Sequence, residues 1–421
     1  MGQARRQDSE RQGTRLRRQG PRPLPLHLSV AALTWSSSQA ALPLLRNGSP
    51  PLKGPIGEAP DLLDALAKAE PQALGAALAK EIRRRAGALL DGIEAYRGHP
   101  YRRDLPDPPL VWQEGTTRLL DYGATGPARD AAAGMPLLVV PSLINRAYIL
   151  DLSERLSLLR WLARRGMHPF LVDWDRPGPE ERHFSLTDYI AGRLEDALDQ
   201  VIARTGRRPV VVGYCMGGLL ALALALRRRP ALAGLALLAT PWDFHAEGRS
   251  QAEHLGRSLT WLAPLLEALG ELPVDMIQML FAGLDPALGI RKFLNFAQLD
   301  GRSARAVAFV ALEDWLNDGV PLAAPVARES LGGWYGENTT ARGHWRVAGR
   351  TVVPKSLRLP SLVMVPGQDR IVPPRSAAAL GEAIPQADMC RPAIGHIGMV
   401  VSSQARKAVW EPLLAWLEDR A

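Results

Sequence analysis

The sequence predicts an α/β protein, a mostly parallel doubly wound sheet carrying a long helical insertion. Three observations lead there. Between residues 106 and 240 short β-branched runs alternate with helical stretches, the spacing of successive βαβ units. One junction in that stretch, Pro209-Val-Val-Val-Gly-Tyr-Cys-Met-Gly-Gly-Leu-Leu-Ala-Leu-Ala-Leu-Ala-Leu226, passes from strand through a glycine-rich corner into an Ala/Leu helix. The alternation stops over 241–350, where Leu, Ala and Trp dominate, and resumes over 351–421.

Composition narrows the classes of function before any motif is used. The chain has 421 residues and can bury a large core without a disulfide or metal. Two cysteines, Cys215 and Cys390, form no framework, and no Cys/His spacing resembles a zinc site, so neither metal nor cofactor is expected. A reducing cytoplasm suits free thiols. Of the net charge of +8, residues 1–22 supply +5 through seven Arg set against Asp8 and Glu10. The remaining chain is nearly neutral and shows no basic groove with interleaved aromatics, so nucleic acid is not an expected partner.

Taken in order, residues 1–56 read as a disordered basic arm, since Pro21, Pro23, Pro25, Pro50, Pro51 and Pro55 break long elements. Within the arm, Leu26–Leu45 is moderately apolar but interrupted by His27, Thr34 and Ser36–Ser38, too broken to span a membrane. It reads as a helix lying on an apolar surface, either the protein's own body or a lipid-like one. Residues 57–105 keep a helical period through Leu62, Leu66, Leu74, Leu78, Ile82, Leu89 and Ile93 and are expected to be packing helices. The core, 106–240 and 351–421, has strands at Leu119–Tyr122, Pro136–Leu143, Pro169–Trp174, Pro209–Tyr214, Leu235–Ala239, Ser361–Val365 and Ala387–Ile394. Helices are expected at Ile149–Arg165, Leu186–Thr205 and Ser402–Leu417. Residues 241–350 would form a helical cap over the carboxyl ends of the strands, where open α/β sheets bind their ligands.

The Gly213-Tyr-Cys-Met-Gly217 corner has the form of a nucleophile elbow with Cys215 in place of serine. A helix starting at Met216 would aim its free N–H groups at the sulfur and favour the thiolate. By itself the corner suits a packed core cysteine equally well. The C-terminal region supplies what a nucleophile needs: Asp369 just past one strand and His396 past the next, giving the order nucleophile, acid, histidine of the α/β-hydrolase fold. His183 and His245 also follow strands and are the competing bases. An oxyanion hole would use the backbone N–H of Met216 and one from the loop after Val140, with Ile144 chosen and Leu143 its neighbour. Cys390 is expected to be a buried strand residue.

With these pieces assembled, the chain from about residue 110 resembles the polyhydroxyalkanoate synthase family. Gly213-Tyr-Cys-Met-Gly-Gly218 is similar to that family's lipase-like box, and Pro141-Ser-Leu-Ile-Asn-Arg-Ala-Tyr-Ile-Leu-Asp151 to its oxyanion loop. Gln368-Asp-Arg-Ile-Val-Pro373, Gly395-His-Ile-Gly398 and Glu114–Tyr122 resemble its acid, histidine and first-strand segments. The chain departs from the family at Leu219 for a usual Thr, Arg370 for His and Asp173 before Trp174 for Ser. Asp314–Pro321 is only a loose echo of a cap motif. The resemblance implies an acyltransferase that polymerises (R)-3-hydroxyacyl groups from coenzyme A thioesters through an acyl-cysteine on Cys215. Asp369 would orient His396 as the base. It also implies a cytoplasmic protein with a hydroxyacyl-CoA substrate, and leaves a polyester granule surface and a homodimer open as partners. The alternatives are a hydrolase of polyester or acyl-CoA using the same triad, and a non-catalytic granule-associated protein.

Overall fold

A computed structural model describes residues 18–46, 60–126 and 134–420. The chain divides into two compact units, Arg102–Leu284 with Asp318–Ala421, and the chain up to Tyr101 with Asp285–Asn317.

The larger unit is built on an eight-stranded sheet. Its strands are β1 (Leu110–Glu114), β2 (Thr117–Asp121), β3 (Pro136–Val140), β4 (His168–Asp173), β5 (Val210–Tyr214), β6 (Gly234–Leu238), β7 (Ser361–Met364) and β8 (Asp388–Cys390), in the order β1-β2-β4-β3-β5-β6-β7-β8. The pairs β1–β2 and β2–β4 are antiparallel and the rest parallel. The sheet is therefore mostly parallel, as expected, with a hairpin at one edge whose turn holds Gly115 at φ +55°. Leu138, Val140, Phe170, Val172, Val211, Leu235 and Leu237 join one core cluster, and the alternating Leu137, Val139, Leu171, Val212, Ala236 and Leu238 are just as buried. Burial of both side-chain sets explains why these strands are continuous apolar runs rather than alternating ones.

One expected helix is broken. The helix predicted over Ile149–Arg165 is a helical turn at Ala147–Leu150, a tight turn, and a helix only from Leu158 to Ala163. The cause is Asp151, fully buried, which accepts two hydrogen bonds from Arg160 and further ones from Arg103 and Tyr122. Holding that carboxylate inward breaks the helical path, and Ser157 then caps the new start by accepting from Arg160 N–H. Leu186–Thr205 is helical as expected, with a π-helical stretch at Tyr189–Leu194.

The smaller unit corrects the expected boundaries. Residues 285–317, assigned to the cap by sequence, contribute helices Leu288–Phe296 and Ala304–Asn317 to the core of the N-terminal helices Leu24–Arg46 and Pro71–Gly98. Tyr96 packs edge-on against Phe293, and Phe296 stacks on Phe309. Gly92 permits close approach of two helices, since a Cβ there would lie 2.2 Å from the Phe293 carbonyl oxygen. Nor are residues 18–46 a disordered arm. Leu24–Arg46 is a helix resting on the protein's own apolar surface through Ala31, and Arg18 forms a two-pronged ion pair with Asp314 at 2.7 Å per contact. The rest of the predicted arm, 1–17 and 47–56, lies outside the described residues. Among the described residues no helix is long and apolar enough to cross a membrane.

Candidate active site

Strand β5 is buried along its whole length and leads into Cys215, from which a helix runs over Met216–Arg228. Cys215 adopts φ 56° and ψ −128°, a conformation that L residues rarely take and that costs of the order of 1–3 kcal/mol. Its backbone N–H is held by the Leu238 carbonyl at 2.9 Å. The glycines around it have no room for a side chain. A Cβ would stand 2.5 Å from Gly218 Cα at Gly213, 2.2 Å from the Val140 oxygen at Gly217 and 1.8 Å from Thr240 Oγ1 at Gly218. The strand, the sharp corner and the helix are thus forced together, and the half-buried Cys215 thiol stands at the carboxyl end of the sheet.

Two loops bring the other groups. Beyond β7 and β8 the backbone pairing continues, with Val365 N–H to Cys390 O, Gly367 N–H to Pro392 O and Gln368 N–H to Ile394 O at 2.8, 2.8 and 3.0 Å. This zipper sets Asp369 and His396 side by side. Asp369 Oδ2 meets His396 Nδ1 at 2.6 Å, while Asp369 Oδ1 accepts the N–H groups of Ile371 and Val372 at 2.8 and 2.9 Å. Both side chains are buried. The Tyr214 hydroxyl donates to the His396 carbonyl at 3.2 Å, and the two rings lie 5.3 Å apart. The charge of Cys215 also acts on the His396 imidazole. Burial alone would lower the imidazole, but the charge of Cys215 and the bond to Asp369 outweigh it and lift His396 to about 10. Burial, with Cys215 and Asp369 nearby, raises Tyr214 above the usual phenol range.

Structure thus brings Cys215, Asp369 and His396 together. Of the competing histidines, His183 is exposed on a turn after β4, and His245 bonds the Tyr335 carbonyl at 2.8 Å. At the expected oxyanion hole, Met216 is the first residue of its helix, so its N–H has no partner within that helix. The Ile144 N–H is instead taken by Ser142 Oγ at 3.0 Å. The Trp174 indole donates to the Pro141 carbonyl at 3.0 Å and fixes the start of the loop. Cys390 is half-buried on β8, and burial raises its thiol. Among the described residues no cluster of His, Cys, Asp or Glu is arranged to hold a metal ion. The arrangement as a whole can deprotonate a thiol, hold the resulting charge and offer an amide to a developing oxyanion.

Sequence reasoning missed one residue here, Tyr335. Its phenol is raised above the usual range, mainly by burial and further by the charge of Cys215. The one signal in the sequence is the glycine setting of the aromatic pair, Gly332-Gly-Trp-Tyr-Gly336.

Comparison with known proteins agrees with this fold. Residues 136–271 match the family described as "alpha/beta hydrolase fold", and residues 107–162 match "Poly-beta-hydroxybutyrate polymerase (PhaC) N-terminus". Three relatives are each named "Poly(3-hydroxyalkanoate) polymerase subunit PhaC". That of Synechocystis sp. is 29% identical over 319 residues, covering 74% of this chain and 84% of the relative. Those of Haloarcula marismortui and Haloferax mediterranei are 27% and 28% identical, again over 74% of this chain but only 67% and 64% of their own lengths. This chain is an α/β-hydrolase-fold relative of the poly(3-hydroxyalkanoate) polymerases.

Proposed function

We propose that this chain is an acyltransferase that moves (R)-3-hydroxyacyl groups from coenzyme A thioesters to a growing polyester through an acyl-cysteine on Cys215. The observation that carries this reading is the meeting of a strained elbow cysteine with a buried His396–Asp369 pair. The names of the relatives supply the substrate class.

In the first half-reaction the Cys215 thiolate attacks the thioester carbonyl, and the oxyanion is met by the Met216 N–H. As the new C–S bond persists and the old one breaks, coenzyme A leaves as a thiol with the proton held on His396. In the second half, the 3-hydroxyl of an incoming group gives its proton to His396 and attacks the acyl-cysteine. An ester forms and the Cys215 sulfur departs. Asp369 holds the imidazole by Nδ1, so that the other ring nitrogen faces the reaction. Sulfur suits this task because exchange between thioesters is nearly balanced, while the acyl-cysteine stays reactive toward an alcohol. A cytoplasmic setting, at or near a polyester surface, belongs to the same reading.

The test is purified protein with 3-hydroxybutyryl-CoA, following free thiol and product mass together. Coenzyme A release with polymer is the expected result. Release with free hydroxy acid would make the chain a hydrolase, and no release at all would make it non-catalytic.

A further inference from the structure

We propose that Tyr214 is a positioning residue for the reaction: its hydroxyl ties the backbone of the base His396 to the strand that leads into Cys215, and so sets where the imidazole stands. The inference rests on the acyl-cysteine reading above and adds to it a residue that acts through another.

The need for such a tie follows from topology. Cys215 is fixed by the elbow that follows β5, whereas His396 comes from the loop after β8, three strands further along the sheet. At the usual spacing of neighbouring strands, about 14 Å of sheet separates the two roots. The loop itself is lightly held. Gly395 and Gly398 flank His396 and Ile397, and glycine leaves a backbone more freedom than any other residue. Before the histidine, the Ile394 carbonyl accepts from Gln368 N–H at 3.0 Å. After it, Met399 N–H lies 3.1 Å from the Gly395 carbonyl and 3.4 Å from that of His396. These bonds join the loop to itself and to the loop after β7, and none of them reaches β5.

Tyr214 does reach across. It is the last residue of β5 and shares a peptide bond with Cys215, and its hydroxyl donates to the His396 carbonyl at 3.2 Å. The two rings also meet, with centroids 5.3 Å apart and planes inclined by 30°. Tyr214 is 5% exposed, so its hydroxyl has given up water and needs a protein partner, which the main-chain carbonyl provides. A phenylalanine ring would pack there with no polar atom to satisfy, so the tie is what the oxygen contributes. Burial, with Cys215 and Asp369 nearby, keeps the phenol protonated and therefore a donor throughout the neutral range. Catalysis by a base is sensitive to such placement, since an error of about 1 Å can cost roughly a hundredfold in rate.

The experiment compares wild type with Tyr214→Phe, which keeps the ring and removes one oxygen, and with Tyr214→4-aminophenylalanine, which returns an N–H donor to the same place. Proton release from His396 is followed by side-chain nitrogen NMR without substrate, and kcat and KM by coenzyme A release from 3-hydroxybutyryl-CoA. In Tyr214→Phe the proton is expected to leave at lower pH than the wild-type value of about 10, because an imidazole no longer held in place feels Cys215 and Asp369 less strongly. Alongside, kcat is expected to fall about tenfold with KM changed by less than about twofold. The amino variant is expected to recover both. A folded Tyr214→Phe whose His396 titrates as in wild type would overturn the inference. A Tyr214→Phe that does not fold would assign the hydroxyl to stability and overturn it too. Absence of coenzyme A release from wild type would overturn the underlying reading, and the nitrogen titration would still decide whether Tyr214 positions His396.

Discussion

Opposing effects meet at His396. Burial favours a neutral ring, while the Cys215 charge and the bond to Asp369 favour the cation, and the cation prevails up to about 10. Because the folded-state value lies above the reference of 6.5, the stabilisation this brings is complete below about 6.5 and is lost as pH rises through about 10. Side-chain nitrogen NMR should therefore show His396 protonated across the neutral range, releasing its proton near pH 10. In Cys215→Ala the release should move to lower pH, since one of the two raising partners is gone. A neutral His396 at pH 7 in the wild type would contradict the ion-pair picture. The three residues of this site were legible in the sequence because each closes a recognisable strand. Tyr335 was not, because it lies in a Trp- and Leu-rich segment where aromatics ordinarily signal packing. The capture of Ile144 by Ser142 was missed for a related reason: a serine two residues before an amide competes for it locally, and that bond carries no periodicity.

Among the elements, the elbow is the most constrained. At Gly217 two effects oppose each other. Alanine gains about 1 kcal/mol of helix propensity over glycine. Its Cβ would meet the Val140 carbonyl at 2.2 Å and the Pro141 carbonyl at 2.5 Å, backbone atoms that cannot swing aside. Overpacking of this kind costs about 1–3 kcal/mol or more, so the clash wins. Gly217→Ala should lower the denaturant midpoint and displace the loop that carries Leu143. A more stable Gly217→Ala would show that the elbow has slack that the distances deny. The parallel strands were readable here because burial on both faces leaves β-branched runs. The helix predicted over Ile149–Arg165 failed because one buried carboxylate, Asp151, takes four hydrogen-bonding contacts from Arg103, Arg160 and Tyr122 that outweigh an apolar period.

Across the whole molecule, sequence order and spatial grouping part company in one place. Residues 285–317 lie in the middle of the presumed cap, yet Phe293, Phe296 and Val310 build their core with Leu89, Ile93 and Tyr96. Periodicity marks all of these as helical and apolar but carries no information about which apolar faces meet. The reacting groups obey the opposite rule. Cys215, Asp369 and His396 are distant in the chain, but each follows a strand of one sheet, so topology alone brings them to one edge. The most direct measurement of what that gathering does is peptide mass analysis after a rapid quench with 3-hydroxybutyryl-CoA. One hydroxyacyl group should appear on the peptide that carries Cys215, labile to hydroxylamine and absent in Cys215→Ala. Coenzyme A release that persists in Cys215→Ala, or an acyl group found on any other residue, would contradict it.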